Sequence, residues 1–305
     1  MKLSNSKRTV ASEQKAGGRG RLPLRSLWQL IFLLFFITAF GVSTVCFVKS
    51  WFSREYDERR LEEQQIILRE DMQSAIKVKE TIPPDNTPEP EKDVFAEEVQ
   101  LVMLPEYEIL YAQNEDFVGW LRIEDTVIDY PVMQCIEDEN YYLSRDFYGE
   151  ENSNGCLILD NDSTAGVGTR EQEYANGSVP STNLIIHGHT MKSGQMFGNL
   201  KLYQDKEYGM AHKIICFDSL YEKREYELIA VFYSQVYYQS DDVFKYYQFF
   251  QADTQEEFDD WYNNITNMSL YDTGVVAEFG DEFITLSCCA YHVEDGRFVV
   301  VAKRI

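Results

Sequence analysis

Residues 284 to 302 read ITLSCCAYHVEDGRFVVVA: an apolar run, two adjacent thiols, a polar turn, and a second apolar run that starts just after Arg297. Short apolar runs bounded by turn residues are strand signals, so the stretch predicts a strand–turn–strand unit with Cys288 and Cys289 at its mouth. A thiol at a strand's end is held rigidly yet stays reachable, whereas one inside a VVV-type run is an inert core group. Cys289 is therefore the better nucleophile. It needs a partner that favours the thiolate or moves a proton, and NLIIHGHTMKSG at 183–194 supplies one, because His189 closes another apolar strand about a hundred residues upstream.

The same pattern recurs along the chain. VGWLRI, TVIDYPVM, GCLILD, NLIIHGH, KIICFDS, YELIAVFYSQVYY, EFITLSC and RFVVVAK follow one another from Val118, separated by Gly, Asn, Asp and Ser clusters. Seven or eight strands with few helices predict a mainly β fold closed into a barrel. Two helical interruptions are expected. One follows His189 through Met196 to Leu202, and the other is TQEEFDDWYNNITNM, where Thr254 and Glu257 make a capping box just ahead of the cysteine strand.

Three separated motifs in this order resemble the signature of the sortases, the membrane-anchored cysteine transpeptidases of Gram-positive bacteria. TLSCC at 285–289 is similar to the family's TLxTC with the nucleophile last, IIHGHTM to its histidine strand, and GRFVVVAKRI to the closing strand with its arginine. Class B is the subgroup resembled, through LPEYEILYAQNEDFVGWLRIEDTVIDYPVMQ at 104–134, HTMKSGQMFGNL at 189–200 and the acidic-aromatic segment at 253–271. Cys288 departs from the pattern, standing where the family usually has threonine.

The resemblance spans residues 93 to 305 and implies a sortase-type barrel with added N-terminal helices. It implies catalytic roles for His189, Cys289 and Arg297, with Thr285, Ser287 and Cys288 of the cysteine strand meeting substrate, and it calls for no cofactor or metal. The reaction implied is cleavage of an NPxTx-like C-terminal sorting motif of secreted proteins after its threonine, followed by transfer through a thioester to an amine of the cell-wall precursor. A thiol hydrolase acting on the same motif and a pilin-polymerising enzyme are the alternatives within enzymes. From another class stands a catalytically dead, membrane-tethered binding module.

The amino-terminal third reads as an anchor and spacer. Residues 1–26 hold seven basic side chains against the single Glu13, and from Leu27 to Val48 no residue is charged. As a helix this apolar run spans about 33 Å, enough to cross a bilayer, and it lacks the polar face of a buried core helix. Cationic flanks tend to stay in the cytoplasm, so the reading is a single-pass protein of the cell membrane, N-terminus inside and catalytic domain outside. Residues 49–92 are expected to be a stalk: a charged helix over 53–80 with a thin stripe through Leu61, Leu68, Met72, Ala75 and Ile76, then the Pro-rich linker TIPPDNTPEPE at 81–91 as domain boundary. Between 93 and 115, apolar residues at near-helical spacing broken by Pro105 predict two short helices.

Composition bounds the partners. With 44% hydrophobic and 14% aromatic residues the chain can build one sizeable core, and its net charge of −23 would repel phosphate backbones. Nucleic acid is not expected as a partner. Taken singly, each site residue has a duller reading: a strand-end cysteine as a small buried hydrophobe, Arg297 as a solvated edge charge, His187 as a stand-in for an aromatic. The combination reverses that. Cys288, Cys289, His187 and His189 do not have the C-x2-4-C spacing of a structural zinc site.

Overall fold

The chain is described here by a computed structural model covering residues 24–81, 101–168 and 178–305. It divides into two compact units, one ending at Ser53 and one beginning at Arg54. The first unit is the apolar part of helix α1 (Leu24–Thr81), whose side chains from Trp28 onward are exposed. Among the described residues this is the one helix long and apolar enough to cross a membrane.

The second unit is built on eight strands: β1 (Phe117–Arg122), β2 (Asp129–Met133), β3 (Leu157–Leu159), β4 (Asn183–Gly188), β5 (Ile214–Ser219), β6 (Glu225–Gln235), β7 (Phe283–Cys289) and β8 (Gly296–Arg304). They close into a barrel in the order β1-β2-β3-β4-β7-β8-β6-β5. The pairs β2–β3 and β4–β7 are parallel and the other six are antiparallel. Alternate residues point in and out. Leu157, Leu159, Ile186, Leu286, Cys288 and Val300 fill the interior.

Two outer faces are covered as well, which is why strands such as RFVVVA read as continuous apolar runs instead of alternating ones. Over β6, β7 and β8 lies helix α4 (Gln255–Met268), which buries Phe258, Trp261 and Ile265 at helical spacing against Phe283, Val299 and Val301. Its start carries the expected capping box: Thr254 Oγ1 accepts from the Glu257 N–H at 3.3 Å, and the Glu257 carboxylate accepts from the Thr254 N–H at 3.1 Å. On the opposite side, helix α2 (Pro105–Gln113) packs Tyr107 and Leu110 against Phe117, Met133 and Ile158.

Two expectations need correction. The stalk does not stand apart from the barrel: α1 runs unbroken through the expected stalk to Thr81, and from Arg54 onward it belongs to the barrel's own compact unit. Leu61, Gln64, Gln65 and Leu68 form a buried stripe at i, i+3, i+4, i+7. The stripe looked thin in the sequence because its two central positions are glutamines. Second, no helix spans Met196 to Leu202; the segment after His189 is turns, pinned where the Phe197 N–H donates to the His189 carbonyl, and helix begins only with a 3-10 turn at Leu200–Gln204 and α3 (Lys206–Ala211). Pro105 opens the second of the two short helices expected over 93–115, α2, at a position where its missing N–H costs nothing, and the first of them falls largely outside the described residues. The expected linker beyond Thr81, the segment 93–100 and most of the basic tail lie outside the described residues.

If α1 is part of the folded unit, Leu68→Ala should remove about 3 kcal/mol from its stability, measured by urea unfolding. A free-standing stalk would show no change.

Candidate active site

Strand register assembles the site. In the parallel pair β4–β7, Gly188 stands opposite Cys288, and in the antiparallel pair β7–β8, Cys289 stands opposite Arg297. His189, the residue after Gly188, is therefore carried to the level of Cys289. Since neighbouring strands lie about 4.8 Å apart, His189, Cys289 and Arg297 form one row across three strands. All three line a single cleft of about 380 Å³ on the outer face of the barrel. Thr190 ties the row together, its hydroxyl donating to the Cys289 carbonyl at 2.6 Å.

The two thiols have opposite environments, as adjacent residues of a strand must. Cys288 is 2% exposed, packs into the barrel interior, and has its thiol pushed up to about 11, chiefly by burial. Cys289 is half-buried at the end of β7, where the chain turns away. The turn that follows is tight: Asp295 has φ 52°, and a Cβ on Gly296 would fall 2.2 Å from the Ala290 carbonyl oxygen. Only glycine fits there, immediately before the arginine.

Arg297 hydrogen-bonds through Nη1 to the carbonyls of Asp295 and Gly296, at 3.2 and 3.0 Å. No carboxylate pairs with it among the described residues. Its donor fork is therefore held by backbone carbonyls alone, through Nη1, among the bonds of the described residues. His189 donates from Nε2 to the Leu143 carbonyl at 2.6 Å. That bond fixes the tautomer and leaves Nδ1 as the nitrogen able to accept or return a proton.

Two residues down each strand lies a second polar row. His187 stands opposite Ser287, and both line the cleft. His187 Nε2 is hydrogen-bonded to the Asp160 carboxylate at 3.0 Å, and Ser287 Oγ shares a 2.7 Å bond with the Tyr246 hydroxyl. Burial raises the Tyr246 phenol well above its ordinary range, so it remains protonated. Of the three residues expected to meet substrate, Ser287 and Cys288 line this cleft and Thr285 does not. Thr285 is buried beneath α4's side of the barrel and donates to Asn183 Oδ1 at 2.8 Å. Among the described residues no group of three or more His, Cys, Asp or Glu side chains gathers to hold a metal.

Sequence reasoning did not foresee Asp160, Tyr246 or Leu143 at the site. Asp160 follows β3 directly and carried a weak signal as a carboxylate at a strand end. Leu143 acts through its carbonyl, for which side-chain chemistry gives no sign.

No family model matches the sequence. A sortase B of Listeria monocytogenes is 32% identical over 216 residues, which are 70% of this chain and 80% of that protein. The solved structure of sortase B from B. anthracis is 30% identical with a TM-score of 0.53, covering 67% of this chain and 85% of its own. A Staphylococcus aureus sortase B–substrate complex superposes with a TM-score of 0.60 over 83% of this chain and 98% of its own, and at 23% identity it supports the fold. With the cysteine, histidine and arginine on adjoining strands of one barrel face and a relative this similar over most of its length, the chain belongs to the sortase B family of cysteine transpeptidases acting on sorting motifs.

Proposed function

We propose that this chain is anchored in the cell membrane by the apolar part of α1, N-terminus inside, and that its barrel acts outside on secreted proteins carrying an NPxTx-like C-terminal signal. The observation that carries the reading is the row His189–Cys289–Arg297 across β4, β7 and β8, opening into one cleft. The uncharged run from Leu27 to Val48 and the cationic residues before it support the topology. A sortase B of S. aureus has been solved as a substrate complex, which fits a protein of this fold acting on a bound substrate.

In the first half-reaction the Cys289 thiol gives its proton to His189 Nδ1, and the resulting thiolate attacks the carbonyl carbon after the motif's threonine, forming a C–S bond. Arg297 donates to the developing oxyanion with backbone N–H groups. The C–N bond then breaks as His189 gives its proton to the departing amine, leaving a thioester. In the second half, an amine of a cell-wall precursor attacks the thioester, His189 takes up the amine's proton, and Cys289 leaves as thiolate. Water is the competing nucleophile, and a half-buried sulfur at the end of a strand limits its approach without sealing the site.

Full-length protein incubated with NPxTx and LPxTG peptides and an amine acceptor should ligate the former after threonine, read by product mass. Cleavage of LPxTG alone would refute the motif, and hydrolysis without ligation would refute transpeptidation. Cys289→Ala should abolish turnover while Cys288→Ala retains it within about fivefold; the reverse would move the nucleophile to the buried thiol. At pH 8 iodoacetamide should alkylate Cys289 and spare Cys288, whose raised pKa keeps it a thiol until the pH approaches about 11. Arg297→Ala should lower kcat by about two to three orders of magnitude, the range for losing an oxyanion donor, with KM nearly unchanged.

A further inference from the structure

The Leu143 carbonyl that holds His189 belongs to the connection between β2 and β3, and this connection is itself gripped by α1. Arg60 of α1 pairs with the Asp146 carboxylate through one oxygen and with Glu150 at 3.3 Å. The other Asp146 oxygen accepts the N–H groups of Tyr148 and Glu150, both at 3.0 Å, and so closes the turn that follows the Leu143 segment. One helical turn earlier, the Asp57 carboxylate accepts from the Ser153 hydroxyl at 2.7 Å, and its carbonyl accepts from Asn152 Nδ2 at 3.3 Å. The Asn152 N–H in turn donates to the Ser144 carbonyl at 3.0 Å, next door to Leu143. Past Arg60, Glu62 accepts from Gln195 Nε2 at 2.9 Å, in the turn whose Phe197 N–H binds the His189 carbonyl.

We infer that Asp57, Arg60 and Glu62 of α1 are positioning residues for catalysis: they hold from both sides the two loops that set the orientation and tautomer of His189. The inference rests on the catalytic role proposed for that histidine. Asp146 is 1% exposed, so its ion pair with Arg60 is the shielded kind that constrains geometry, unlike a solvated surface pair. The connection keeps independent anchors in Tyr142 and Phe147, buried beside α2, with the Tyr142 hydroxyl donating to Asp116 at 2.9 Å. Loss of the α1 grip therefore leaves the loop folded and relaxes only the placement of the Leu143 carbonyl. With that bond loosened, the imidazole samples the other tautomer and orientation, and a displacement of this size costs rate without costing binding.

The test uses the full-length chain in detergent micelles and the variants Arg60→Met, Arg60→Lys and, as control, Arg69→Met, which removes an α1 contact at 3.0 Å to Asp129 on β2, away from the loops around His189. Arg60→Met should lower kcat about tenfold with KM within twofold, Arg60→Lys should recover most of the loss, and Arg69→Met should leave kcat unchanged. Independently of turnover, nitrogen NMR of histidine-labelled protein should show His189 protonated at Nε2 in the parent and averaging between tautomers in Arg60→Met. An unchanged His189 spectrum in Arg60→Met would overturn the inference, as would an equal loss of kcat in Arg69→Met. If the parent ligates no peptide, the transpeptidase reading fails, while the histidine spectra still decide whether α1 holds the imidazole.

Discussion

The site depends on the register of β4, β7 and β8. Side chains alternate along a strand, so a slip of one residue would turn every group to the other face. Here such a slip would send Cys289 into the barrel among Leu286 and Val300 and bring Cys288 out to the cleft face instead. What holds the register is the burial of both faces of β7: Leu286 and Cys288 inward, Phe283 and Thr285 outward under α4. The hydrogen bonds from Thr285 to Asn183 and from Tyr246 to Ser287 add polar locks on β7, the first directly to β4. Catalytic placement is thus a by-product of core packing on either side of one strand.

Much of this was legible in the sequence because strands such as β3 and β7 bury both faces and read as unbroken apolar runs bounded by turn residues. The capping box of α4 was legible for a different reason: its residue types satisfy particular backbone donors at fixed spacing. For Cys289, His189 and Arg297, position at a strand end was sufficient signal for the row they form in the cleft. Where the backbone supplies the contact, as with the Leu143 carbonyl, the sequence carries no mark, and Thr285 shows the converse, a polar side chain in the motif that serves the core. The α1 stripe was misjudged because burial by glutamine does not look like burial. Gln64 and Gln65 lie at the interface between α1 and the barrel beside Leu61 and Leu68, and a helix with half its contact face polar resembles a solvated spacer.

That same polarity explains how α1 can do more than cover the barrel. An apolar face would fix only distance, whereas the contacts of Asp57, Arg60 and Glu62 are directional and reach loops instead of strands. The barrel sets which residues share a row, and the helix sets how the loops around that row are held. Negative charge is spread over much of the chain, yet the cleft is also lined by Arg297, which forms no ion pair with a carboxylate among the described residues.

The most direct measurement of the central claim is a crystal structure of the barrel with Cys289 trapped by a sorting-peptide mimic whose threonine carbonyl is replaced by a tetrahedral or disulfide-linked carbon. The account expects the substituent oxygen within about 3.5 Å of an Arg297 N–H, and the His189 ring on the leaving-group side with Nε2 still on the Leu143 carbonyl. A guanidinium turned away from the adduct, or an adduct formed on Cys288, would contradict it.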